Sequence, residues 1–281
     1  NPVSKDSAAW YTKKSDVNSR DIEDEYKAEP VKNFAENYIR QNREQIYSFT
    51  LKNGIPARVK SNRKSNSAAV LLEIRNGKSA DKINGFSELM TGILALNIQK
   101  EFEKQRADGN IDFLPEVKTE TSFLKSSISF ECKADDLDKC IKCAAEAIIF
   151  GETAPAQADL VAHSVRSSKR LYNASLENQL FCKAVRKLYK NPLYLNAFDS
   201  ENEILEKITY NDVAAFYPLF IDASLYKIFI AGKAEPESVK SVLENTMGLL
   251  SAHCTRDEDF SAVDEPDFSE AGNISVKLRH L

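Results

Sequence analysis

An α+β fold, a mostly antiparallel β-sheet covered by helices, is predicted by three observations. Strand-like segments cluster toward both ends of the 46–250 region, helix-period segments fill its middle, and 42% of the 281 residues are apolar, enough to bury one sizeable core. The 38 basic and 42 acidic residues leave a net charge of −4. That balance argues against a nucleic-acid surface and against a polybasic membrane anchor. No apolar run approaches the roughly 18 residues that span a bilayer, so no transmembrane segment is expected.

Residues 1–44 are polar and read as a connective segment, partly helical: Lys27–Arg43 can form a helix starting near Pro30, with Val31, Phe34, Ala35 and Tyr38 on one face. The domain proper is placed at 45–252. It opens with strands near 46–51 and 55–61, joined at Asn53-Gly54, a pair that readily adopts the positive φ of a tight turn. A third strand follows near 67–75. The spacing of Phe86, Leu89, Met90, Ile93, Leu94 and Ile98 predicts a long helix over 85–105. Alternation over 119–133 reads as one strand. Helices are expected near 135–150, 156–173, 176–189 and 209–219, then a strand at 225–231 and a helix at 235–247.

Residues 253–281 read as a linker and the start of a following domain. Acidic, Pro- and Gly-containing sequence gives way to Ile274–Leu281, which alternates apolar and polar residues and so predicts a strand that pairs with a sheet. The chain opens on Asn1 rather than Met and stops within that strand, which reads as a piece cut from a longer protein. The five cysteines are odd in number and few, so no disulfide framework is expected. Cys140-x-x-Cys143 lies within a helical pattern and reads as core thiols rather than a metal or redox pair.

Several ordered blocks carry a family resemblance. These are the hairpin Phe49–Lys60, the apolar strand Ala69–Ile74 running into Gly77-Lys78-Ser79, and the helix opening Asn84-Gly85-Phe86. Two more are Asn191-Pro192-Leu193-Tyr194 with Ile208-Thr209-Tyr210-Asn211-Asp212-Val213-Ala214-Ala215-Phe216-Tyr217, and the strand Leu225–Gly232. Together they resemble the insulinase-type (M16) zinc peptidases. The resemblance implies the α+β fold already read from periodicity, and it implies a zinc motif, His-x-x-Glu-His, on the glycine-led helix. Glu88, Thr91 and Gly92 stand in the motif positions.

That turn therefore lacks both imidazoles and the carboxylate base. The third ligand that the resemblance implies, a Glu, would fall near Lys169 in a helix 159–173 that contains no Glu. The histidines His163, His253 and His280 form no His-x-x-x-His pair. No nucleophile elbow, P-loop or dinucleotide fingerprint appears. Glu88 reads as a helix-N-terminal acid, with Ser87 or Asn84 as the cap.

The resemblance then implies a catalytically silent domain of a larger zinc metallopeptidase, contributing to a peptide-binding chamber and to inter-domain contacts. No cofactor is expected in this chain, and zinc would belong to another domain of the parent. The expected partners are other M16 domains of the same protein, or a homo-oligomer, and a peptide. The alternative is a structural subunit of a complex, like silent core proteins of the same fold. Residue types point to no particular compartment.

Overall fold

The computed structural model describes residues 46–81, 85–151, 154–189 and 208–252. Its strands are β1 (Ile46–Thr50), β2 (Pro56–Ser61), β3 (Ser67–Ile74), β4 (Lys118–Thr121), β5 (Ser126–Lys133) and β6 (Tyr226–Gly232). They form one six-stranded sheet in the order β1-β2-β6-β3-β5-β4. Only the β2–β6 pair is parallel; every other neighbour is antiparallel. The mostly antiparallel α+β architecture read from the sequence is the one observed.

The helices are α1 (Phe86–Ala107), α2 (Leu137–Phe150), α3 (Pro155–Ala174), α4 (Leu176–Leu188), α5 (Tyr210–Phe220) and α6 (Pro236–Glu244). Period-2 alternation decides which sheet face they cover. In the central strands Val70 pairs with both Ile230 and Phe130, and Leu72 with Ile228 and Ile128. All of these are buried, and they pack with Leu94, Ile98 and Phe102 of α1 and with Ile141 and Ile148 of α2. Intervening residues such as Arg58, Ala69 and Glu131 face outward.

Helix α1 departs from a simple stripe. Its first half, Phe86, Leu89, Met90 and Ile93, belongs to a second core with Val161 and Ala162 of α3 and Val213 and Phe220 of α5. Its second half faces the sheet. The apolar positions are as predicted, but they serve two surfaces, because a helix gripped from both sides needs buried residues around its whole circumference.

The expected single strand over 119–133 is two strands. Ser122 donates its N–H across a tight turn to the Lys125 carbonyl at 2.8 Å, and its own carbonyl accepts the Lys78 N–H at 3.0 Å from the segment after β3. Only β5 alternates in burial; β4 does not, and the turn carries the adjacent apolar residues Phe123 and Leu124, a break in period that a single strand over 119–133 overlooks. The helix expected over 235–247 ends at Glu244, and a single 3₁₀ turn, Met247–Leu249, follows. The predicted helix 27–43, strand 274–281, and the Asn191–Tyr194 block lie outside the described residues. Among the described residues no helix is long and apolar enough to cross a membrane.

Because Leu89 and Ile93 are fully buried in the second core, Leu89→Ala or Ile93→Ala is expected to cost roughly 2–5 kcal/mol. Urea unfolding of each variant, with the slope unchanged, measures it.

Candidate functional site

Helix α1 begins at Gly85, whose φ of +88° places it in the left-handed region that only glycine enters freely. Of the two expected caps, Asn84 lies outside the described residues, and the Ser87 hydroxyl bonds the Gly77 carbonyl and Asp81 rather than capping the helix. Asp81 does so instead. Its Oδ2 accepts the Gly85 N–H at 3.1 Å and its Oδ1 accepts the Ser87 N–H at 2.8 Å, with the Ser87 hydroxyl 2.5 Å from the same Oδ1. The carboxylate thus satisfies amides that a helix start leaves orphaned. Sequence pattern points to a cap beside the glycine, whereas Asp81 stands four residues before Gly85 and six before Ser87 in the chain.

Asp81 is buried. Desolvation pushes its carboxyl up from an ordinary 3.8 to about 6, outweighing the hydrogen bonds from Ser87 and Gly85 and the attraction of Lys169.

The three motif positions lie one turn further along α1. Glu88 is half-buried and bracketed by two ammonium groups, Lys78 Nζ at 2.8 Å and Lys169 Nζ at 3.9 Å. Lys169, on α3, is only 13% exposed along its side chain. Position 169 is where the resemblance placed a third metal ligand, so the structure brings the expected positions together but fills them with a carboxylate and a cation. Thr91 is fully buried, and its hydroxyl has no hydrogen-bond partner among the described residues. Gly92 lies against α3: a Cβ built there would sit 2.6 Å from Val161 Cγ1.

A zinc ion does not fit this arrangement. An imidazole at position 92 needs the space that Val161 occupies, an ammonium group already faces position 88, and Thr91 offers neither a ligand of zinc-binding softness nor a base. Among the described residues no three His, Cys, Asp or Glu side chains converge as a metal site. His163 is exposed on α3, and His253 and His280 lie outside the described residues. What the cluster can do is structural: it neutralises Glu88 and ties α3 and the 78–81 turn to the start of α1.

Two other predicted features have local explanations. Thr209 and Asp212 form a reciprocal capping box, with the Thr209 N–H 2.8 Å from Asp212 Oδ2 and the Asp212 N–H 3.3 Å from Thr209 Oγ1. Cys140 and Cys143 are buried in α2. A hydrogen bond with Cys132 and burial push the Cys140 thiol far up, and burial pushes Cys143 up to about 11, so both hold their protons as core thiols do.

No model of a known protein family matches the sequence, and no curated protein does. Solved structures do share the fold. A protease from Helicobacter pylori superposes with a TM-score of 0.62 at 17% identity, over 75% of this chain and 52% of that one. The peptidase M16 inactive domain from Pseudomonas fluorescens gives 0.63 at 14%, over 74% and 52%. A chain of complex III2 from Candida albicans, solved with Inz-5 bound, gives 0.58 at 14%, over 75% and 48%. The chain therefore has the fold of M16-like peptidases, an inactive M16 domain among them. It spans about half the length of the structures it matches.

Two predictions follow the geometry. Gly92→Ala drives a methyl group into Val161 and is expected to cost about 1–3 kcal/mol. Val161→Ala in the same chain should recover part of that loss, measured by thermal unfolding of the single and double variants. For Asp81 the folded-state pKa lies above the unfolded one, so its proton favours the fold. That contribution is complete below about pH 3.8 and disappears as pH rises through about 6, a fall on the order of 3 kcal/mol. Asp81→Asn should remove this slope from the stability profile between those two pH values, whatever its effect on absolute stability.

Proposed function

We propose that this chain is a catalytically silent M16-type domain of a larger zinc metallopeptidase, where it helps to shape a peptide-binding chamber and makes contacts with sister domains. The observation that carries this reading is the motif turn itself. In a fold shared with an inactive M16 domain, the positions a metal would need hold a Lys169–Glu88 pair and a Gly92–Val161 contact. These are arrangements that stabilise a helix packing rather than poise a reaction. The span of about half of each matched chain is in keeping with further domains in the parent, and zinc would then be bound by one of those. Backbone pairing along a sheet edge would give such a chamber tolerance of peptide sequence.

A second reading is favoured by one observation, the shared fold with a chain of complex III2. On that reading the domain is a structural subunit of an assembly, with no peptidase partner. A parent sequence carrying His-x-x-Glu-His in another domain supports the peptidase reading. A parent without one supports the structural reading.

The 281-residue chain, dialysed and analysed for metal, is expected to retain no stoichiometric zinc and to leave peptide substrates uncut. About one tightly held zinc per chain, lost on chelation together with peptidase activity, would overturn the proposal.

A further inference from the structure

The two edges of the sheet differ in chemistry. The β4 edge is four residues long and carries Lys118 and Glu120, charges of the kind that blunt an edge against pairing. The β1 edge is Ile46-Tyr47-Ser48-Phe49-Thr50, without a charge, proline or glycine. Among the described residues β2 is the only strand beside it. Ile46 is 41% and Tyr47 52% exposed.

The hydrogen-bonding direction along β1 follows from its hairpin. Leu51 N–H bonds the Ile55 carbonyl at 2.9 Å, which makes Leu51–Ile55 a hydrogen-bonded pair. Antiparallel pairs alternate, so with Tyr47 opposite Val59 and Phe49 opposite Ala57, residues 47 and 49 turn their peptide groups toward β2. Ile46, Ser48 and Thr50 therefore turn theirs outward.

We infer that β1 is a self-complementary edge that pairs with β1 of a second copy of this chain, antiparallel about a two-fold axis at Ser48. Centring on Ser48 puts Ser48 opposite Ser48 and Ile46 opposite Thr50, so every outward N–H and C=O of the strand meets a partner. The same register puts Tyr47 opposite Phe49 in the non-hydrogen-bonded pairs, where side chains approach most closely. These two aromatics lie on the helix-covered face, and Lys240 Nζ stands 5.9 Å from the Phe49 ring centre. A shift of one residue would oppose inward-turned peptide groups and lose both the hydrogen bonds and the aromatic pairs. The contact joins two six-stranded sheets into one. A closed two-fold pair uses up the edge on both copies, so it does not propagate.

The test is sedimentation velocity on the 281-residue chain from about 1 μM to about 1 mM, the window in which an interface of the transient size class, under about 1,200 Å², associates. Residue-resolved hydrogen exchange accompanies it. A concentration-dependent dimer is expected, in which the amides of Ile46, Ser48 and Thr50 gain protection on association while those of Tyr47 and Phe49 are protected at every concentration. Ser48→Lys sets like charges opposite each other at the axis and is expected to weaken association at least about tenfold, with Ser48→Thr leaving it unchanged. A chain that stays monomeric throughout overturns the inference, as does a dimer indifferent to Ser48→Lys. Protection of the 46, 48 and 50 amides that does not vary with concentration also overturns it, because the edge would then be covered from within one chain.

Discussion

Helix α1 has no exposed residue between Phe86 and Gln99, and the rest of the domain is arranged around that constraint. One side must meet the sheet through Leu94, Ile98 and Phe102, and the other must meet α3 and α5 through Phe86, Leu89, Met90 and Ile93. A helix held this way tolerates no unpaired charge and little variation in volume. Glu88 is acceptable there because Lys78 and Lys169 attend it, and Gly92 because Val161 fills its space.

The same constraint gives the turn around Glu88 a structural use. Two lysines from separate elements reach one carboxylate, so the turn before α1 and helix α3 are both tied to the first turn of α1. A half-buried ion pair of this kind adds little net stability against an apolar replacement. Its use is positional, since one carboxylate holds lysines from two separate elements to the same point. Asp81 acts in a similar way one turn earlier, holding the amides of Gly85 and Ser87 even though burial works against its own charge.

The sheet leaves backbone groups free at its margins. Its helix-covered face is filled by Val70, Leu72, Ile128, Phe130, Ile228 and Ile230, which leaves the strand edges as the surfaces where backbone groups remain available. The contrast between a charged β4 and an uncharged β1 makes the two edges different surfaces for association.

Most of the fold was legible in the order of the residues, because strand and helix periods are local properties. The alternation of Val70, Leu72 and Ile74 and the spacing of Leu89, Ile93 and Leu94 announce their elements without reference to anything distant. The sequence likewise shows that the turn holding Glu88, Thr91 and Gly92 carries no imidazole; that it stands in place of a zinc motif is what the family resemblance implies. What sequence could not contain was the set of neighbours those residues acquire. That Lys169 faces Glu88 across 81 positions of chain, that Val161 takes the space beside Gly92, and that Asp81 accepts the first amides of α1 all depend on how two helices and a turn come together. The split of 119–133 into two strands was hidden for a different reason: β4 is a short edge strand without alternating burial, so its boundary with β5 is marked by the Ser122–Lys125 turn bond rather than by a change of period. Periodicity records which side of an element is buried, and tertiary packing alone decides against what.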